Sequence, residues 1–291
     1  MKKRIFGLLL AATLLSGCSI ASKPAQVAAT TLPVYEFTTA LCQGTPITVT
    51  RLVTEEVSCL HDYSLNVRQV KAAEAAELIV LSGAGLEEFL DDILLDKESI
   101  DASQGITLLC PEEEDEHDHG HEGHHHESDP HIWLSPANAL IMARNIFQGL
   151  TRQYPNYSDI FSANLEVLTA QLNDLGSYGK TVLQDLQCRQ IITFHDGFGY
   201  LADAFNLTVL EAVEEESGSE ASAKELIHLI EEVEHHNLPA IFTETNGSVS
   251  AADIISRETG VRCFSLDMVM SGDSYFDAMY RNIDTLKEAL E

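Results

Sequence analysis

One pattern, occurring twice, constrains this chain more than any other: short apolar runs alternate with longer amphipathic stretches. Short runs rich in Val, Ile and Leu read as buried parallel strands, and the longer stretches as helices that cross between them. In the first series the spacing predicts strands over residues 27–31, 47–53, 78–81 and 105–109, with helices over 33–42, 65–75 and 86–95. In the second it predicts strands over 190–194, 207–211, 240–243 and 262–266. Ser222 with Glu225, and Ser250 with Asp253, read as capping boxes that open two helices of this series. Gly260 ends the second of them, and a last helix fills residues 274–290. The expected fold class is α/β, with two lobes, each a parallel sheet flanked by helices.

Between the two series, Ser135-Pro136 supplies an N-cap and a first helical residue for a helix to about Gln153. From Pro155 to about Leu186, apolar residues at Ile160, Leu165, Leu168, Leu172 and Leu175 keep close to helical spacing. About 30 residues of helix measure about 45 Å, roughly the length of a domain, so this segment reads as a long spine helix joining the lobes. Gly176 and Gly179 are read as marking a bend. The resulting division is a first lobe over 27–154, a linking helix over 155–187 and a second lobe over 188–291.

The N-terminus carries Lys2, Lys3 and Arg4 ahead of an apolar run over residues 5–15, too short to span a bilayer but suited to a signal peptide core. Leu15-Ser16-Gly17-Cys18 resembles the bacterial lipobox. Residues 1–17 are therefore expected to be a cleaved signal, Cys18 the lipidated residue, and 18–26 a tether to the outer face of the cell membrane.

Charge narrows the partners. With 46 Asp and Glu against 17 Lys and Arg, the formal charge of −29 leaves no basic surface for phosphates, which excludes nucleic acid. The acid is concentrated in residues 112–129, where nine acidic residues and six His share eighteen positions. No core can form from that composition, so the tract is expected to be a disordered loop. Zn²⁺ favours imidazole, and His117, His119, His121, His124, His125 and His126 are candidates for accessory metal capture.

Three isolated histidines stand elsewhere. His61 follows the second predicted strand by a short loop, His195 directly follows the strand at 190–194, and His131 precedes the Ser135 helix. Open α/β sheets hold their ligands at such positions. His228, His235 and His236 lie on one charged helix and read as solvated. Besides Cys18, the cysteines are Cys42, Cys59, Cys110, Cys188 and Cys263; Cys42 with Cys59 and Cys188 with Cys263 are pairs available within the lobes, with the connectivity open and at least one Cys left over. Cys59 is also an alternative metal ligand, ranked behind packing or pairing.

Cys59-Leu60-His61-Asp62-Tyr63, Asp129-Pro130-His131-Ile132-Trp133-Leu134-Ser135-Pro136 and Phe194-His195-Asp196-Gly197-Phe198-Gly199-Tyr200 together resemble the zinc-binding substrate-binding lipoproteins of metal ABC transporters, the cluster A-I family. The likeness extends over the whole mature chain and includes the His-rich loop before His131. It implies a metal held between two lobes, with His61 and His131 from the first and His195 from the second. The fourth family position falls on Asp267, and Glu244 is the rival carboxylate. Three imidazoles and a carboxylate suit tetrahedral Zn²⁺, whereas manganese-binding relatives carry an acidic residue where this chain has His195. The resemblance implies a monomeric, non-enzymatic protein that passes Zn²⁺ to a membrane permease driven by a cytoplasmic ATPase. The alternatives are a manganese-binding transport protein, an adhesin, or a secreted zinc hydrolase using the same histidines with Glu244 or Asp267 as base. No HExxH helix supports the hydrolase.

Overall fold

The computed structural model describes residues 27–57, 60, 63–109, 128–213 and 221–291. It contains two four-stranded sheets, and every strand pairing in both is parallel. In the first, β1 (Val27–Ala29), β2 (Val49–Arg51), β3 (Leu78–Leu81) and β4 (Ser99–Asp101) lie in the order β2-β1-β3-β4. In the second, β5 (Gln190–Thr193), β6 (Thr208–Ala212), β7 (Ala240–Glu244) and β8 (Arg262–Leu266) lie in the order β6-β5-β7-β8. The two orders are the same pattern. Each reverses direction of winding between its first and third strand, which opens a crevice beyond the carboxyl ends of that pair.

The elements follow from local chemistry. After β1, α1 (Leu32–Cys42) starts with Pro33 in its first turn; α2 (Val67–Ala75) opens on a capping box between Asn66 and Gln69. Residues 86–95 do not form one helix: a 3₁₀ turn at Glu88–Leu90 runs into the single turn α3 (Asp91–Leu94). The fourth strand also lies earlier than its predicted place at 105–109. β4 is three residues long with only Ile100 buried, and Gly105, at φ +80°, turns the chain where the strand was expected.

α4 (Pro136–Gln153) is capped by Ser135, whose Oγ accepts from the Asn138 N–H at 3.4 Å. A 3₁₀ turn at Pro155–Tyr157 leads into α5 (Ser158–Val182). At 25 residues α5 is about 37 Å long, and it packs on α1 and α4 of the first lobe and on the C-terminal helix of the second. It runs unbroken through both glycines. Gly179 is bare because the Phe205 ring occupies the space a Cβ would need, so packing explains it better than a bend. In the second lobe follow α6 (Gly199–Ala204), α7 (Ala223–His236), α8 (Ser250–Thr259) and α9 (Tyr275–Leu290). The Ser222–Glu225 capping box forms as expected, and Gly260 ends α8 at φ +77°. Ser250, however, is the first helical residue and Val249 holds the cap position, so no box forms with Asp253.

The main core is continuous between the lobes, gathering Leu32 and Phe37 of α1, Phe161 and Leu168 of α5, and Trp133, Phe198 and Tyr275. Trp133, 0% exposed, donates its indole N–H to the Met268 carbonyl at 2.8 Å, and its own carbonyl accepts the Tyr275 hydroxyl at 2.9 Å. The Leu32 N–H donates to the Met270 carbonyl at 3.1 Å, and Arg51 donates to the Gly272 carbonyl at 2.7 Å. The loop after β8 is thus stitched to the first lobe. Within it Val269 stands at φ +59°, a costly conformation for a β-branched residue, fully buried and held by the Asp267 Oδ1 that accepts its N–H at 2.7 Å.

Cys42, Cys188 and Cys263 are free thiols, so the pairing of Cys188 with Cys263 does not form. Burial pushes the Cys42 thiol up to about 12, which leaves it inert. Cys18, Cys59, Cys110 and the six histidines of the acidic tract lie outside the described residues. Among the described residues no helix is long and apolar enough to cross a membrane.

Candidate metal centre

His195 leaves the end of β5 and Glu244 ends β7, the two neighbouring strands that border the crevice of the second sheet. The equivalent crevice of the first sheet is filled by its own carboxylate. Glu87, buried, accepts the Thr30 hydroxyl at 2.7 Å, the Ser82 N–H at 2.7 Å and the Gly83 N–H at 3.0 Å, all at the carboxyl ends of β1 and β3. Desolvation pushes its carboxyl up to about 7, against the pull of those three donors. The first lobe therefore reaches the site from its connecting segments rather than its strand ends, and His131 arrives immediately before the 3₁₀ turn Ile132–Leu134.

The His131 and His195 rings meet edge to face, 5.2 Å apart at 83°. Gly197 makes that approach possible: a Cβ there would stand 2.8 Å from His131 Nδ1, 2.8 Å from His195 Cδ2 and 2.6 Å from Met268 Cε. The His131 side chain is 1% exposed and that of His195 15%.

An account of the ring nitrogens shows what these side chains can do. His131 Nδ1 lies 2.8 Å from Asp129 Oδ1, and the same oxygen accepts the His131 backbone N–H at 2.8 Å. A carboxylate oxygen accepts and cannot donate, so it favours the tautomer with hydrogen on Nδ1, which leaves a lone pair on Nε2. His131 Nε2 is buried and, among the described residues, has no hydrogen-bond partner. Such a group is costly unless something else takes its lone pair. His195 Nδ1 faces Glu244 Oε1 at 3.5 Å, so here too a carboxylate stands behind Nδ1. Histidines that bind metals are held in this way, by a carboxylate on the nitrogen away from the ion.

Of the residues expected at the site, the structure brings His131, His195 and Glu244 together. Asp267 is engaged nearby, with Oδ1 accepting the Val269 N–H and Oδ2 3.6 Å from Arg281 Nη2. His61 lies outside the described residues, and among those described no three His, Cys, Asp or Glu side chains form a metal-holding group. Two contributors have no role of their own in the sequence reading. Asp129 stands there as the last acid of the tract and in the motif that leads to His131, and its place two residues before that histidine is a usable signal; Gly197 stands in the His195 motif, and its role depends on a contact between lobes. His228 is exposed, 3.2 Å from Glu211, and His236 pairs with Glu232 on its own helix, away from the site.

Comparison with known proteins identifies the family. The ZnuA family profile, described as the periplasmic component A of a zinc-uptake complex, matches residues 27–289. The zinc-binding lipoprotein AdcA of Streptococcus pneumoniae (strain ATCC BAA-255 / R6) is 31% identical over 280 residues, covering 91% of this chain and 56% of that relative, so the chain spans little more than half its length. A crystal structure of ZnuA matches with a TM-score of 0.77 at 29% identity, covering 92% of this chain and 100% of that one. The Zn(II)-bound ZnuA-like domain of Streptococcus pneumoniae AdcA matches with a TM-score of 0.75 at 27% identity, covering 91% and 98%. The family consists of metal-binding components of uptake systems rather than enzymes, which sets the hydrolase alternative aside. With the profile matching nearly the whole described chain, the protein belongs to the ZnuA family of periplasmic zinc-uptake components.

Proposed function

We propose that the protein captures Zn²⁺ between its lobes and passes it, as cargo, to an ABC permease driven by a cytoplasmic ATPase. The observation that carries this reading is the pair of imidazoles, one from each lobe, each with a carboxylate at Nδ1. Their Nε2 atoms, both buried, are the ligating atoms. His61 supplies the third imidazole and Asp267 the carboxylate, while Glu244 orients His195 from behind. Asp267 offers Oδ2 to the ion, because its side chain is 29% exposed and an Arg281 pair this exposed holds that oxygen weakly, while Oδ1 keeps its bond to the Val269 N–H. Lipidation at Cys18 keeps the protein at the outer membrane face, and the His-rich tract supplies accessory, weaker binding.

Zinc titration against a competing chelator tests the assignment. His61→Ala, His131→Ala, His195→Ala and Asp267→Ala should each weaken binding more than Glu244→Gln, for which the loss of an outer partner predicts about 10–100-fold. Unchanged affinity in His131→Ala and His195→Ala would refute the interlobe site. An Asp267→Ala variant weaker in effect than Glu244→Gln would make Glu244 the ligand.

A further inference from the structure

We infer that Tyr200 is a positioning residue for the metal, one that holds His131 from the opposite lobe through Asp129. The inference rests on the reading of His131 as a ligand. Tyr200 comes from α6 of the second lobe and is 3% exposed. Its hydroxyl accepts the Leu109 N–H at 2.9 Å and donates to the Asp129 carbonyl at 2.9 Å. The Asp129 N–H in turn donates to the Leu109 carbonyl at 2.8 Å. One hydroxyl thus joins the two chain segments, Leu109 and Asp129, that bracket residues 110–127.

The packing leaves little slack. A Cβ on Gly199 would stand 3.1 Å from Leu109 Cδ1 and 3.3 Å from Asp129 Oδ2, so the start of α6 lies directly against both segments. With its N–H held by Leu109 and its carbonyl by Tyr200, the Asp129 backbone is fixed on both sides. Its Oδ1 is then fixed where it accepts both the His131 backbone N–H and Nδ1. The relay runs from the second lobe to a ligand of the first, and ends by choosing which nitrogen His131 offers. Loss of the hydroxyl frees one end of Asp129, loosens its carboxylate and admits the other tautomer, which has no lone pair at Nε2.

The test uses the full chain with Tyr200→Phe, Asp129→Ala, the double variant and His131→Ala. Two quantities are read: zinc affinity by chelator competition, and the His131 tautomer in zinc-free protein from its ring ¹⁵N shifts. Asp129→Ala should weaken zinc about 10–100-fold, and Tyr200→Phe by up to about 10-fold with a rise in the Nε2–H tautomer. In the Asp129→Ala background Tyr200→Phe should add nothing, because it acts through that residue. If Tyr200→Phe left affinity and tautomer unchanged while Asp129→Ala weakened binding, the inference would fail and the site would stand; additive effects would also overturn it. If His131→Ala bound zinc as before, the site and the inference would fall together.

Discussion

At the scale of single residues, the candidate site depends as much on an absent side chain as on those present. Gly197 lies in a turn but is not left-handed; it is bare because two imidazoles and a methionine occupy the volume around it. Contacts of 2.6 to 2.8 Å lie below what a real Cβ tolerates, and although the Met268 methyl at 2.6 Å can swing aside, the two atoms at 2.8 Å belong to rings held at Nδ1. Gly197→Ala should therefore cost about 1–3 kcal/mol of stability in urea denaturation of the zinc-free protein, the usual range for overpacking, and should weaken zinc binding as the rings separate. A variant as stable and as tight as the parent would show that the rings are not in contact.

At the scale of elements, the first sheet makes a prediction about pH. The Glu87 carboxyl rises from its ordinary value of 4.5 to about 7 on folding, so the folded state holds its proton at pH values where the unfolded chain has lost it. That contribution is complete below about 4.5, declines as pH rises and is gone above about 7. In zinc-free protein the stability of wild type relative to Glu87→Gln should accordingly be greater at pH 5 than at pH 8; a constant difference in urea midpoints would contradict it. The acidic tract makes a second prediction. Because Asp129 is bonded to His131, Leu109 and Tyr200, a deletion should span residues 112–127 and spare it, leaving one tight zinc site and removing the weaker ones. Unaltered stoichiometry would make the tract a mere insertion. Much of this level was legible in the sequence. Strands such as β3, buried over Leu78–Val80, and β7, buried along its length, appear as short apolar runs, and Ser222, Ser135 and Gly260 mark helix ends through their own side-chain and backbone chemistry. β4 was illegible because a three-residue edge strand buries one side chain, and the plug at Glu87 because its donors come from strands far apart in sequence.

At the scale of the whole molecule, the lobes share one core and are fastened at Trp133, Tyr275, Leu32 and Arg51. A wide hinge opening would break those bonds and expose a buried indole, so metal exchange should proceed by movement of loops at the crevice rather than of whole lobes. Small-angle scattering should give the same radius of gyration with and without zinc; a clear contraction on loading would contradict the shared core. The central claim is that one ion is held by histidines of both lobes through Nε2. An anomalous difference map at the zinc edge from zinc-loaded crystals tests it most directly. The account predicts a single strong peak about 2.0–2.1 Å from His131 Nε2 and His195 Nε2. A strongest peak at any position out of reach of either histidine, or bonded to Nδ1, would contradict it.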